Sequence, residues 1–206
     1  MRGAGALLLA DGAQAAGKMA LPDADFIAIS GHKFGAPPGI GALLVRDLGT
    51  LSASGGQERG YRRGTENLPA AAGMAAALAS RAFADAMPGL AALREQLEQA
   101  IVAEGGMVIG ASAPRIATIG AYAMPGVGNA SQLVQLDLAG IAVSAGSACS
   151  SGSMKASRVL AAMHAAPEIA STVVRVSFGP STNAGDVARL LDEWRRVQRR
   201  GKAEAA

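Results

Sequence analysis

The sequence has very few of the residues that build disulfides and metal clusters. It contains one cysteine, Cys149, and two histidines, His32 and His164. One thiol excludes an internal disulfide and a zinc site with several thiolates, and the two histidines lack the spacing of metal ligands. We therefore expect no metal centre.

Aromatic residues and long apolar runs are also scarce. The chain has four Phe, two Tyr and one Trp, and much of its 50% hydrophobic content is alanine. This composition predicts a core built from Ala, Leu, Val and Ile. No segment reaches the roughly 20 apolar residues that span a bilayer, and the run at residues 7–9 is too short for a signal peptide. We expect a soluble cytoplasmic protein without a membrane partner.

Positive charge is modest and mostly dispersed. The net charge is +3, and the densest basic run, at residues 195–200, belongs to a predicted terminal helix. An exposed helix face explains this run, and no basic patch is interleaved with aromatic residues that could stack on bases. We expect no nucleic-acid partner.

Short apolar runs alternate with helical stretches, which predicts an α/β fold. Strands are expected at residues 7–10, 26–29, 42–46, 107–109, 116–123, 141–144 and 173–178. Helices are expected at residues 69–86, 88–104, 131–138 and 155–163 and from 183 onward, with Pro88 beginning the second helix. The pattern predicts a first domain at residues 1–86, a connecting helix at 87–104 and a smaller α/β domain at 105–206.

One lysine directly follows a predicted buried strand. The apolar run at residues 26–29 ends at Ser30-Gly31-His32-Lys33, and a loop of glycines and prolines follows. Loops at strand ends carry the chemistry of open α/β sheets, and apolar flanks could desolvate the amine of Lys33 and make it a Schiff-base nucleophile. On the evidence of this position alone, a solvated loop lysine is the commoner case.

An acid and an amide follow another predicted strand. The run at residues 7–10 ends at Asp11, and Gln14 lies three residues further on. Two neighbouring strands would present Asp11 and Lys33 at the same sheet edge. Pyridoxal phosphate enzymes use this pairing, because the lysine forms a Schiff base and the carboxylate keeps the ring nitrogen protonated.

Five motifs occur in order along the chain. They are D-G-A-Q-A-A-G-K at 11–18, S-G-H-K at 30–33, G-G-Q-E-R-G-Y-R-R-G-T-E-N at 55–67, S-A-G-S-A-C-S-S-G at 144–152 and R-V-S-F-G at 175–179. Together they resemble the cysteine desulfurases of the class V aminotransferase family over essentially the whole chain. The resemblance implies the C-terminal part of a fold type I large domain, with a mainly parallel sheet, plus a smaller α/β domain.

The resemblance also implies a set of pyridoxal phosphate ligands. Asp11 would pair with the ring nitrogen and Gln14 with the ring hydroxyl, while Ser30, Gly31 and His32 would contact the phosphate region beside Lys33. Thr65 matches a residue that reaches the phosphate of a neighbouring subunit, which implies a homodimer. Arg175 matches the arginine that holds the substrate carboxylate.

Cys149 lies in a run of small residues, which favours an exposed and reactive thiol over a packed one. The resemblance implies that Lys33, His32 and Cys149 are catalytic. Cys149 would take sulfur from L-cysteine as a persulfide, alanine would leave, and the sulfur would pass to an acceptor or scaffold protein for iron–sulfur cluster or thio-cofactor assembly. For Arg62 and Arg63 we expect solvated loop side chains, and for His164 an exposed helix end.

Members of the family are considerably longer, and only ten residues precede Asp11 here. The sequence resembles the C-terminal half of such a protein. We expect the 206-residue chain to bind pyridoxal phosphate poorly unless another polypeptide supplies the remaining half. Two alternatives stay open: a non-catalytic fragment that acts at most as an interaction or sulfur-relay module, and a selenocysteine lyase-type enzyme.

Overall fold

The computed structural model describes residues 4–146 and 157–204, so Cys149 lies outside the described residues. The chain divides into two compact units, Met1–Ala86 and Met87–Ala206. Within the described residues no helix is both long and apolar enough for a bilayer crossing. The same part of the chain contains no group of three or more His, Cys, Asp or Glu side chains arranged to hold a metal ion.

The first unit contains a three-stranded mixed sheet. Its strands are β1 (Leu9–Asp11), β2 (Phe26–Ser30) and β3 (Gly41–Val45), in the order β1-β2-β3. β1 and β2 run parallel, whereas β2 and β3 run antiparallel. The antiparallel pairing follows from the short connection between β2 and β3, because a parallel pair needs a crossover of a dozen or more residues.

Two helices follow the first sheet: the first lies within the first unit, and the second begins there and continues into the second unit. They are α1 (Leu68–Ser80) and α2 (Ala82–Ala103). Arg81 separates them in the left-handed conformation, with φ of 54°, and its N–H donates to the Leu78 carbonyl. The expectation that Pro88 begins the second helix is wrong, since Pro88 lies inside α2. Helix α2 continues through Pro88 although proline has no N–H to donate. The boundary between the two helices is set by Arg81, whose left-handed conformation ends α1.

The second unit contains an antiparallel four-stranded sheet. Its strands are β4 (Met107–Val108), β5 (Ile119–Ala123), β6 (Ser144–Ala145) and β7 (Val173–Ser177), in the order β4-β5-β7-β6. The helices are α3 (Asn129–Leu138), α4 (Arg158–Ala162), α5 (Pro167–Ala170) and α6 (Ala184–Glu204). Helix α5 was not expected from the sequence, although a proline at its first position is a recognised helix start.

Aromatic side chains occupy the centre of the second unit. Trp194 and Tyr122 are fully buried, and Phe178 is nearly so. The buried core consists mostly of Ala, Leu, Val and Ile, as the composition predicted. The few aromatic side chains add to it, and each buries a large area.

A charged network lies beside Tyr122. The Arg115 guanidinium donates to both carboxylate oxygens of Glu98, at 2.6 and 2.9 Å, and Arg94 Nε lies 3.4 Å from Glu98 Oε1. The Tyr122 hydroxyl donates to Glu98 Oε1 at 3.4 Å. The hydrogen bond from Arg115 is the main cause that lowers the pKa of Glu98, whereas burial raises the pKa of Tyr122. These contacts connect α2 to β5 and to the segment before it.

Candidate active site

The carboxyl ends of β1 and β2 lie side by side. In the parallel register Asp11, the last residue of β1, is opposite Ala28, and the Gly12 N–H donates to the Ala28 carbonyl at 2.8 Å. A Cβ on Gly12 would lie 2.8 Å from Ile27 Cγ2, so glycine allows the chain to turn tightly against β2. Asp11 and the segment that follows β2 therefore meet at one sheet edge.

The Asp11 carboxylate has a defined orientation at this edge. Its Oδ1 accepts a hydrogen bond from the Ala13 N–H at 3.0 Å, and the side chain is solvent-exposed. This local turn is a common use of aspartate after a strand. It holds an anionic acceptor at the strand end, where a bound ligand can reach it.

The segment after β2 forms a short 3-10 turn, Gly31–Phe34. Gly31 is packed so closely that a Cβ would lie 2.9 Å from Ile40 Cγ2 and 3.0 Å from Ala36 Cβ. Phe34 is buried in a cluster with Ala16 and Ala36. Because both ends of the turn are anchored, the exposed residues between them, His32 and Lys33, have a fixed backbone.

Ser30 and His32 are paired in front of this turn. The Ser30 hydroxyl lies 3.1 Å from His32 Nδ1. A hydrogen bond at Nδ1 leaves the other ring nitrogen of His32 to interact elsewhere. The pair therefore presents a hydroxyl and an imidazole on the exposed side of the strand end, next in sequence to Lys33.

Lys18 is a residue of this region to which the sequence analysis assigned no role. Its side chain is 7% exposed, and its Nζ donates to Gln14 Oε1 at 3.0 Å. Nζ also lies 5.0 Å from the centroid of the Phe83 ring. Burial, and secondly the charge of Lys33, lower the pKa of Lys18. The spacing of Gln14 and Lys18 by four residues was the available signal for this contact.

Thr65 lies in the same unit, on an exposed loop that follows a tight turn. Gln57 pairs with Arg62 as an isolated bridge, and a Cβ on Gly55 would overlap the Arg62 carbonyl. The guanidiniums of Arg62 and Arg63 are exposed, as expected, and they donate to the carbonyls of Gly64 and Ser54 at 2.7 and 2.5 Å. These arginines brace the loop.

Arg175 lies in the second unit, at the middle of β7 and not at a strand end. It pairs with Ala121 of β5 and Ser144 of β6, and it is half-buried. His164 is exposed directly after α4, as expected. The structure thus gathers Asp11, Gln14 and the turn bearing Lys33 within the first unit, whereas Arg175 belongs to the second.

Comparison with solved structures identifies the class of protein. The fold matches a NifS-like protein from Rickettsia africae with a TM-score of 0.80 and 25% identity, over 95% of this chain and 54% of that one. It matches a cysteine desulfurase from Escherichia coli with a TM-score of 0.75 and 25% identity, over 96% of this chain and 53% of that one. This confirms the α/β fold of the fold type I pyridoxal phosphate-dependent transferases.

The chain belongs to the aminotransferase class-V family, whose family model matches residues 1–190. It is 43% identical over 199 residues to a cysteine desulfurase from Rhodobacter capsulatus, covering 91% of this chain and 52% of that relative. The chain spans about half the length of the curated relatives that it matches, such as the one from Gluconacetobacter diazotrophicus, of which it covers 50%. The resemblance read from the motifs is confirmed.

Proposed function

We propose that this chain carries the lysine-bearing part of a pyridoxal phosphate-dependent cysteine desulfurase, which converts L-cysteine to L-alanine and transfers the sulfur to Cys149. The observation that carries the proposal is the parallel pairing of β1 and β2, in which Asp11 ends β1 opposite Ala28 and the Gly31–Phe34 turn follows the end of β2 on the same side of the sheet. Relatives named as cysteine desulfurases, at 43% and 40% identity, favour this activity over the non-catalytic fragment and the selenocysteine lyase.

The groups at this edge suit pyridoxal phosphate. The oriented Asp11 carboxylate can accept from a protonated ring nitrogen, and Lys33 offers a primary amine on a braced turn. The Ser30–His32 pair provides donors for a phosphate, and the packed Gly31 lets the backbone approach closely. When bound, the cofactor supplies an electron sink that stabilises negative charge on the substrate α-carbon.

Each side chain then has a definite task. Asp11 would hold the proton on the cofactor ring nitrogen, and Gln14 would hydrogen-bond the ring oxygen. The amine of Lys33 would act as the base that removes the proton from the substrate α-carbon. Arg175 binds the substrate carboxylate, a task that suits its planar pair of donors.

The side chain of Cys149, as a thiolate, would accept the sulfur. The thiolate attacks the substrate sulfur, so a sulfur–sulfur bond forms and the substrate carbon–sulfur bond breaks. The electron pair of the broken bond stays with carbon, which takes a proton and becomes the methyl group of alanine. Carbon is reduced while the transferred sulfur is oxidised, so the step needs no outside oxidant.

Several partners belong to this proposal. Thr65 would reach the phosphate bound by a second copy of the chain, so the enzyme would be a homodimer. It would act in the cytoplasm, where an acceptor or iron–sulfur scaffold protein would receive the sulfur. The half of the family fold that this sequence does not span would complete the site. Exposed leucines on the first sheet, Leu9, Leu43 and Leu44, suit a surface that this half would cover.

The decisive test is chemical labelling of the purified chain, alone and co-expressed with the N-terminal half of the Rhodobacter capsulatus relative. Pyridoxal phosphate is added, borohydride reduces any imine, and peptide mapping locates the pyridoxyl group. We expect the label on Lys33 and its loss in Lys33→Ala, with Lys202→Ala as the matched control. Label spread over all four lysines in both preparations would contradict the proposal.

Activity provides the second part of the test. A matching preparation, given pyridoxal phosphate but no borohydride, receives L-cysteine and a reducing thiol, and sulfide and alanine are measured together. Cys149→Ser should abolish sulfide release while it leaves the label on Lys33 intact. Equal sulfide release from Cys149→Ser and the unchanged chain would contradict the assignment of Cys149.

A further inference from the structure

Lys18 is a nearly buried amine for which the proposed reaction has no task. Only 7% of it is exposed, and it lies in the turn that follows β1 and packs beside Phe83. Lysine is among the residues least often buried, because removing its charge from water is costly unless a partner compensates. Its partners here are the Gln14 side-chain oxygen and the face of the Phe83 ring.

The contact with Lys18 determines which way the Gln14 amide is turned. A glutamine side chain has an accepting oxygen and a donating nitrogen, and an ammonium group can only donate. Gln14 Oε1 therefore faces Lys18 Nζ, 3.0 Å away, and Gln14 Nε2 is directed away from it. Because Gln14 is exposed, its nitrogen remains accessible to a ligand at the strand end.

We propose that Lys18 is a positioning residue that turns the Gln14 amide so that Nε2 donates to the ring oxygen of bound pyridoxal phosphate. This inference rests on the proposed function, since it assigns a further residue to the same site. Without Lys18 the amide rotates freely, and an oxygen facing the accepting ring oxygen would repel it. Burial, and secondly the charge of Lys33, lower the pKa of Lys18, so the two amines lie in the same part of the first unit.

The first arm of the test needs no cofactor. Side-chain amide NMR of the whole chain compares the mobility of the Gln14 NH₂ group in the unchanged protein and in Lys18→Met, which preserves length and apolar packing. We expect a restrained Gln14 amide that becomes mobile in Lys18→Met, while the exposed Gln96 on α2 stays unchanged as the control. Equal Gln14 mobility in both proteins would overturn the inference. Circular dichroism checks that both proteins are folded.

The second arm is a double-mutant cycle read by pyridoxal phosphate titration, not by turnover. It uses unreduced protein, prepared in whichever way allowed labelling of Lys33. Loss of one hydrogen bond predicts about three- to tenfold weaker binding for Lys18→Met and for Gln14→Ala. If Lys18 acts through Gln14, the double variant is no weaker than Gln14→Ala alone. Additive losses would overturn the inference and assign Lys18 a separate structural role.

The outcomes separate the inference from the function on which it rests. Tight binding by the unchanged protein and equally tight binding by Lys18→Met would overturn the role of Lys18 and leave the proposed function standing. No binding by the unchanged protein in either preparation would overturn the proposed function and, with it, the use of Gln14, whatever the NMR result.

Discussion

The Gly12 N–H donates to the Ala28 carbonyl at 2.8 Å, which continues the parallel pairing of β1 and β2 beyond Asp11. This hydrogen bond fixes the register of the two strands at the point where β1 ends, two residues before the end of β2. The acid of the first strand and the turn bearing Lys33 after the second consequently share one edge. Open α/β sheets bind ligands at this kind of edge.

Asp11→Asn should separate the orientation of this side chain from its charge. Asparagine keeps the oxygen that accepts from the Ala13 N–H, so the turn should persist. The neutral amide cannot hold a proton on the ring nitrogen of the cofactor. We expect turnover of L-cysteine to fall by about 10²-fold, with labelling of Lys33 retained, as measured by alanine formation and peptide mapping. Turnover within twofold of the unchanged protein would reject the role of Asp11.

Gly31→Ala should displace the turn that bears Lys33. The new Cβ would lie 2.9 Å from Ile40 Cγ2 and 3.1 Å from the Ile40 carbonyl, so the backbone must move. We expect a loss of about 1–3 kcal/mol in the free energy of unfolding, measured by urea denaturation, and weaker labelling of Lys33. Gly56→Ala is the matched control, because a Cβ there meets nothing within 4 Å. Equal effects of the two substitutions would refute the packing argument.

Glu98 should make the second unit sensitive to acid. Its pKa is lowered in the folded protein from an ordinary value of 4.5, chiefly by the hydrogen bond from Arg115. The stabilisation is therefore complete above the ordinary pKa and is lost as the pH falls through the lower, folded value. Urea denaturation between pH 7 and pH 3 should show a smaller acid-induced loss in Glu98→Gln than in the unchanged protein.

The control for this pH series is Glu95→Gln, on the exposed face of the same helix. It should leave the pH dependence of unfolding as it is in the unchanged protein. A pH profile that is identical for Glu98→Gln and Glu95→Gln would show that the network around Tyr122 does not contribute to acid sensitivity.

Arg175→Lys should affect the substrate more than the cofactor. Lysine keeps the charge of Arg175 but loses the planar pair of donors that binds a carboxylate in a fork. We expect KM for L-cysteine to rise by about 10-fold or more, with pyridoxal phosphate binding unchanged, in steady-state assays and titrations. Arg189→Lys is the comparison, since Arg189 donates to the Gly140 carbonyl at the end of α3. An unchanged KM in Arg175→Lys would argue against carboxylate binding.

Local patterns in the sequence were enough to predict the elements around the site. The apolar runs before Asp11 and Ser30 predicted β1 and β2, which the structure pairs in parallel. The helix boundary near Pro88 could not be predicted in this way. The left-handed conformation of Arg81, which ends α1, cannot be recognised from the residue type. Proline is easily recognised, but it can either begin a helix or lie inside one.

By itself, the sequence determined the class of fold and the order of its motifs, because strand periodicity and glycine or proline turns are properties of neighbouring residues. Only the tertiary structure decided that the Lys18 amine is buried against Phe83, some 65 positions away. Likewise, only packing decided that Trp194 and Tyr122 fill the centre of the second unit. Burial depends on contacts between distant segments, and these form when the whole chain folds.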